Sequence, residues 1–408
     1  MSSASTDLRA AHQPTRLPGA YRWWLFGFIW TVAGNAVLTF GLAWVAAGTS
    51  GTAAGLVLSA GLLPRLLLSL WGGSVADRFG AWAVMVTADG LMVVVCAVLT
   101  VVVLSVGTPL WVLMTAAGLM GVADAFYRPA SGAFPRYLVP PGQMRQAAAA
   151  RQIVLQLIGI AGPVLGGVVV MVLSLQGGTA AATAGFAVMF LILLSLRTRR
   201  LPVARASSGR NLSVAVRDGL AYALRTPAVR VILVLLAFIA GFVIPLTGLL
   251  LPLLAQDQGW PGAATGSMAG AYGAGVLLSS VLFLLRPHSR LTRMPALAGT
   301  AVTGLAMLAV AVVPTPGWAG AACVAAGCGT GYFVAKAAPV LLTEVPDEYL
   351  SRIQSISLFV QTLPVLFANN LLGRLSDTSG ACAAVLVSGG ALVAVTLTCG
   401  TSAAARRL

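Results

Sequence analysis

The sequence predicts an all-α membrane protein with twelve transmembrane helices in two six-helix halves. Two features of composition and one of charge placement predict it. Of the 408 residues, 58% are hydrophobic and 9% are charged, where a soluble domain carries about a quarter charged residues. The apolar residues gather into runs that match the roughly 20 residues a helix needs to cross a bilayer. The arginines concentrate in alternate loops between those runs, as they do when cationic loops stay on the cytoplasmic side.

Taken in order, the first six spans run over 23–47, 51–75, 82–105, 109–134, 148–173 and 177–196. The second six run over 229–254, 262–285, 295–313, 317–341, 353–373 and 380–401. The long break between the sixth and seventh spans contains Arg-Thr-Arg-Arg, a proline and Ser-Ser-Gly. It sets the domain limits: a tail (1–22), an N-terminal half (23–196), a central loop (197–228), a C-terminal half (229–402) and a second tail (403–408). Within the break, 212–224 mixes apolar residues with Arg217 and Asp218, a pattern shared by interfacial amphipathic helices and plain polar linkers.

With the N-terminus inside, the cytoplasmic loops hold Arg78, the arginines from Arg128 to Arg151 and from Arg197 to Arg230, then Arg286, Arg290, Arg293 and Arg352. Arg374 is the one arginine of the outer loops. A single missed span would invert everything after it, so the charges fix the count and place both termini in the cytoplasm. The N-terminal tail, with Arg9, Arg16 and Arg22, lacks a short apolar core and a small-residue cleavage site and reads as retained. Lys336 is the only lysine, a bias that, with the abundant Ala and Gly, suggests a GC-rich bacterial genome and hence a bacterial cell membrane.

The net charge of +15 follows from this topology and not from nucleic-acid binding, because no basic face is interleaved with aromatics. The five cysteines, Cys96, Cys323, Cys328, Cys382 and Cys399, lie inside apolar stretches, without metal-ligand spacing and odd in number. No metal or cofactor is expected. The chain has no phosphate-binding loop and no nucleophile–base pairing, and both histidines, His12 and His288, fall in cytoplasmic segments. It is not read as an enzyme.

The halves repeat each other. Aligned without gaps, the fifth span places Arg151 on Arg352 of the eleventh, and Pro163-Val164-Leu165 on Pro364-Val365-Leu366. Gly121 and Pro129 near the end of the fourth span match Gly331 and Pro339 near the end of the tenth. A duplicated six-helix unit suggests alternating access, with a substrate site between the halves near the midplane.

Ionisable residues inside a span are costly and mark function by default. Asp124, in the fourth span, is four residues ahead of Arg128, so the two can pair on one helix face. Asp89, in the third span, has no partner on its own helix and is a candidate proton carrier or the structural partner of another helix. Arg65, beside Pro64 in the second span, is a candidate for binding an acid such as Asp89 or an anionic substrate, while Lys336 can snorkel or touch substrate. Gly162, Pro163, Gly166 and Gly167 would bend the fifth span and admit a close neighbour. Further cavity candidates are Asn35, Phe126, Gln152, Gln156, Tyr272, Tyr332, Gln361 and Asn369.

The turn Gly73-Ser-Val-Ala-Asp77-Arg78-Phe-Gly80 is similar to the Gly-x-x-x-Asp-Arg-x-Gly loop signature of the major facilitator superfamily. Residues 123–152, leading into Gly-Pro-Val-Leu-Gly-Gly at 162–167, resemble the macrolide-efflux and enterobactin-exporter branch, as does 216–230. Three departures stand out. Ala81 and Trp82 replace the basic residues that commonly follow the signature, the loop at 286–295 has lost its acid and glycines, and Ile158 occupies a glycine position of the antiporter signature.

The resemblance implies the major facilitator fold and a secondary transporter that exports a small amphiphilic compound in exchange for protons. It also implies that Gly73, Asp77, Arg78, Gly80, Asp124 and Arg128 form a conformational latch. In that latch Asp77 meets the N-terminus of the eleventh helix near Ser351-Arg-Ile-Gln354, and Arg78 faces Asp124. Asp89 and Asp124 are the proton-coupling candidates, and the glycines of the fifth helix gate the cavity and restrain proton leak. Expected partners are a small-molecule substrate, protons and the lipid bilayer, with the chain a monomer. A siderophore exporter or uptake permease of the same fold, and a receptor or scaffold that moves nothing, are the alternatives.

Overall fold

The computed structural model of the chain describes residues 16–196, 225–285, 295–343 and 347–401. The 212–224 segment and the loop at 286–294 lie outside the described residues. The helices are α1 (Gly19–Ala47), α2 (Gly51–Phe79), α3 (Ala81–Val106), α4 (Leu110–Ala133), α5 (Met144–Ser195) and α6 (Pro227–Pro245). They continue with α7 (Leu251–Asp257), α8 (Gly262–Leu285), α9 (Ala296–Val312), α10 (Pro316–Thr343), α11 (Asp347–Ser379) and α12 (Ala381–Gly400). No strand occurs among the described residues.

Nine stretches of the described residues are long and apolar enough to cross a membrane. One of them, which includes α5, holds two crossings, because its helical path breaks at Ser174 (φ 58°, ψ −170°). Before the break Gly162 and Gly166 face Ala36 and Phe40 of α1; after it Ala182 faces Gly34 and Met189 faces Gly27, so the chain has reversed. Positive φ is uncommon for serine, and here it makes the turn between the fifth and sixth crossings. A π-turn over Leu246–Leu250 joins α6 to α7 into one crossing. Among the described residues, the shorter α9 and the charge-bearing α11 stand at the positions expected for the ninth and eleventh spans.

Local chemistry sets the ends. The Ser50 hydroxyl accepts the Ala53 N–H at 3.0 Å and caps α2, satisfying one of the amides a helix start leaves open. Gly80, at φ 87°, ends α2 and starts α3, a conformation a side chain would strain. Along α3, Val94, Val98, Val101 and Leu104 form an exposed apolar stripe that lipid would cover. Exposed tryptophans stand toward both ends of the bundle, Trp23 and Trp71 at one and Trp111 and Trp318 at the other, where amphipathic rings meet the headgroups.

The repeat appears as matched packing. Gly121 brings α4 against the Gly61 carbonyl of α2, and Gly331 brings α10 against Val276 and Ser279 of α8. The α3 hydroxyl of Thr100 bonds Thr179 on the second arm of α5 (2.7 Å), and in the other half Thr396 of α12 bonds Thr300 of α9 (2.9 Å). Such hydroxyl pairs hold helices together where burial supplies no drive.

The arginine-rich end of the N-terminal half has its own core around Trp24, Phe28, Met85 and Phe134. There the Tyr21 hydroxyl donates to the Ala147 carbonyl at 2.6 Å, and Trp82 Nε1 donates to the Leu193 carbonyl at 2.7 Å. Trp82, read from the sequence only as the loss of a basic residue, ties the start of α3 to the end of α5.

Candidate functional site

The two halves meet along α2 with α11 and along α5 with α8. Small residues make the first seam. Gly51 faces the Gly373 carbonyl and Gly55 the Asn369 carbonyl, so the backbones touch with no side chain between them. Asn370 Nδ2 donates to the Ser59 hydroxyl at 2.7 Å. In the second seam Gly167 faces Gly262, Gly266 faces Pro163, and Gly270 and Gly273 face Ile160. Both seams lie toward the arginine-poor end.

That end is also fastened by a charge. Asp377, in the last turn of α11, accepts the Gly51 N–H at 2.5 Å and the Thr52 N–H at 2.9 Å, with the Thr52 hydroxyl bonded to the same carboxylate. The carboxylate therefore caps a helix of the other half, where an anion meets the positive end of the helix dipole. Desolvation by the neighbouring seam acts to raise its pKa, but the Thr52 hydroxyl and the Thr52 and Gly51 amides together outweigh it and hold the carboxyl below the usual range.

Beyond the seams the halves part around a cavity of about 290 Å³. Its N-terminal-half wall carries Asn35, Thr39, Arg65 and Asp124; its C-terminal-half wall carries Ile244, Pro245, Thr247, Val365 and Asn369. One wall is thus charged and the other is apolar with two short polar groups. The Asn369 side-chain oxygen is buried without a hydrogen bond. A second cavity of about 190 Å³, inside the N-terminal half, shares Asn35, Met120 and Asp124 with the first. It is lined by Asp89, Tyr127, Arg128, Ser131 and Arg151, among others. Asp89 accepts from Thr31 of α1 at 3.3 Å through one oxygen, and its other oxygen is buried without a donor. The Tyr127 hydroxyl is likewise buried without a hydrogen bond. Arg151 bonds Ser131 at 3.3 Å and lies over the Phe28 ring at 5.0 Å.

Asp124 is the electrostatic centre of this region. Its Oδ2 is 3.4 Å from Arg128 Nε and 3.9 Å from Arg65 Nη1, and these are the ion pairs among the described residues. The expected pairing within α4 is present, but two other expected pairings are not. Arg65 meets Asp124 and not Asp89, which is held by Thr31 instead. Arg78 is not an ion-pair partner of Asp124, because it follows Arg65 by 13 positions on α2, about 20 Å along a helix. Its guanidinium lies over the Phe79 ring at 5.5 Å. The side chains of Gly73, Asp77, Arg352 and Gln354 lie outside the described ones.

Of the remaining candidates, Asn35, Arg65 and Asn369 line the central cavity. Gln156, Pro163 and Tyr272 line a further cavity of about 240 Å³ between α5 and α8. Phe126 packs on the core of the N-terminal half. Gln361 donates to the Ser357 carbonyl of its own helix at 3.0 Å, and Tyr332 stacks edge-on with Phe283. Gln152, Tyr332, Lys336 and Gln361 are not among the residues lining the three cavities. Gly162 and Gly166 face α1, and Gly167 faces α8, so one motif serves two interfaces.

The sequence reading missed Thr31, Tyr127 and Arg151 as cavity groups and Asp377 as a cap. Nothing marks Thr31 and Tyr127, since which side of an apolar helix faces inward is set by packing; Arg151 stands out as an ionisable residue of the fifth span, but its spacing does not say that it faces this cavity. Asp377 did carry a signal. Gly373, Asp377 and Gly380 repeat the Gly-x-x-x-Asp-x-x-Gly spacing of Gly73, Asp77 and Gly80.

Comparison with known proteins agrees with this architecture. The family model described as Major Facilitator Superfamily matches residues 23–369. The chain is 27% identical to the multidrug efflux pump Tap of Mycolicibacterium fortuitum, over 71% of this chain and 73% of that one. It is 23% identical to macrolide efflux protein A of Streptococcus pyogenes, over 86% and 88%. Among solved structures, a POT family transporter in complex with 5-aminolevulinic acid aligns over 94% of this chain and 96% of its own, with a TM-score of 0.73 and 14% identity.

Proposed function

Because the chain belongs to the Major Facilitator Superfamily, we propose that it is a secondary active exporter of a small amphiphilic compound, a drug, antibiotic or related metabolite, driven by proton antiport. The observation that carries this reading is the cavity between the halves, closed at one end by two backbone seams and bounded by one charged and one apolar wall. An amphiphile suits those walls, with its polar end against Arg65 and Asp124 and its apolar body against Ile244, Pro245 and Val365. The efflux relatives support export as the direction.

The arginine distribution supports placing the arginine-rich end in the cytoplasm. In that orientation the arrangement is inward-facing, with the outer end shut and the cavity poised to take substrate from inside. Rocking of the two halves would then carry the site to the other face.

Proton carriage falls to Asp89 in this reading. Asp124 is charge-compensated by two arginines, whereas Asp89 has one hydroxyl donor and no basic partner among the described residues. A carboxyl that must gain and lose a proton in each cycle cannot be pinned by a fixed cation. Asp77 and its turn would latch the inner end in the opposite state.

The test is transport into inverted membrane vesicles across a panel of amphiphilic compounds, with and without a pH gradient. Gradient-dependent uptake of at least one compound is the expected result. Uptake indifferent to the gradient would remove proton exchange, and no uptake of any compound would overturn the exporter reading.

A further inference from the structure

The turn after α11 is built like the turn after α2. Gly80 and Gly380 have φ of 87° and 83°. Each donates its N–H four residues back, to the Ala76 carbonyl at 3.0 Å and the Ser376 carbonyl at 2.9 Å. Each also accepts the N–H four residues on, from Val84 at 3.2 Å and Ala384 at 3.4 Å. The aspartate three residues before each glycine, Asp77 or Asp377, is thus carried on the same scaffold at opposite ends of the bundle.

These helices also face each other. The C-terminal end of α11 lies at the N-terminal end of α2, where Asp377 accepts the Gly51 and Thr52 amides. By the same antiparallel arrangement, the C-terminal end of α2, with Asp77, is on the side where α11 begins.

From this symmetry we infer that Asp377 is the positioning residue of a second latch, which holds the arginine-poor end shut by capping α2 across the interface. The inference rests on the alternating-access reading above. Each latch is an acid at the end of one helix of the pair, engaging the start of the other. One rocking motion separates one pair while it joins the other, so the two would engage in turn. Asp377 acts through the position of α2 and touches no substrate.

The chemistry gives the latch a pH dependence. An acid held below the usual carboxylate range stabilises the closed end fully above its unlatched pKa, about 3.9 for aspartate. That stabilisation is lost as pH falls through the lower, latched value. Acid on this side therefore opens this end. Among the described residues the other charged groups here are Arg374, on α11 itself, and Asp257 at the end of α7. Asp257 accepts the Ala381 N–H at 2.9 Å and ties α7 to α12 within one half, so it does not bridge the seam.

The experiment places spin labels on cysteines introduced at Ser105 and Thr315, exposed positions of opposite halves at this end, in a background without the five native cysteines. Distances are read in reconstituted protein from pH 7 to pH 3. Asp377→Asn should raise the open-to-closed ratio about two- to fivefold at pH 7, the loss of one charge at the end of a helix dipole at an exposed site. The parent should open in acid, Asp377→Asn should not open further, and Asp377→Glu should restore both closure and acid response. An unchanged ratio in Asp377→Asn, or acid opening that persists in it, would overturn the latch. The measurement uses no substrate, so failure of the exporter reading in the vesicle assay would leave this result distinct.

Discussion

Gly55→Ala should open the arginine-poor end without unfolding the protein. A Cβ at Gly55 would meet the Asn369 carbonyl oxygen, with the Asn369 carbonyl carbon at 3.0 Å and the Asn370 Cα at 3.4 Å. All three atoms belong to backbone of the other half, so no side chain can swing aside. Restoring an ordinary carbon–oxygen separation of about 3.3 Å requires α11 to retreat by roughly 1 Å. Overpacking of this kind costs about 1–3 kcal/mol. Because every atom in the clash lies across the seam, rocking the halves apart relieves it completely. The cost therefore enters as a bias on the closed state, a shift of about 5- to 150-fold toward the open one. The assay is labelling of a cysteine placed at Thr39, in the cavity wall, by an impermeant thiol reagent applied to the outer face of intact cells. Gly55→Ala should raise the labelling rate at least about fivefold. The matched control is Gly121→Ala, where the new Cβ meets the Gly61 carbonyl within one half. That strain cannot be relieved by rocking, so it should lower thermal stability and leave labelling unchanged. Equal labelling in the parent and Gly55→Ala would refute the argument, as would a Gly121→Ala variant that opens as readily.

Asp89→Asn should abolish uptake driven by a pH gradient while sparing substrate counterflow in vesicles, which requires no net proton movement. Asp124→Asn should destabilise the protein by about 1–3 kcal/mol, since it leaves Arg65 without its acid in a partly buried wall. Arg128→Ala should cost less than about 1 kcal/mol, because the Arg128 side chain is 56% exposed; thermal unfolding in one detergent compares the two. Trp82→Phe should cost about 1 kcal/mol through loss of the bond to the Leu193 carbonyl, read the same way, with the distance distribution at the far end unmoved.

The membrane fold was legible because hydropathy and arginine placement act over whole helices. The break between the fifth and sixth spans, expected around 174–176, falls at Ser174. Chemistry within the bundle was less legible, for a physical reason. An all-apolar helix carries no polar face to say which side turns inward, so Thr31 and Tyr127 looked like ordinary residues of α1 and α4. The choice of partner for Arg65 depended on whether Asp89 or Asp124 faces α2, a matter of helix rotation that spacing cannot set. Asp124 with Arg128 was readable because both lie on one helix, where the four-residue period fixes their approach. Asp377 was overlooked as a lone acid in an outer loop, although its spacing from Gly373 and Gly380 repeats the earlier turn.

The thinness of the closed seam has an electrical consequence. Water entering the cavity from the arginine-rich end would reach the level of Val57, and from there to Gly51 α2 rises only about 9 Å. A membrane potential falls mainly across material that excludes water and ions, so most of the field would be compressed into that short stretch. Each elementary charge that crosses it exchanges about 2.3 kcal/mol per 100 mV with the potential. A charged cargo or a proton would meet nearly the whole voltage at the seam itself, in the same step that parts Gly55 from Asn369.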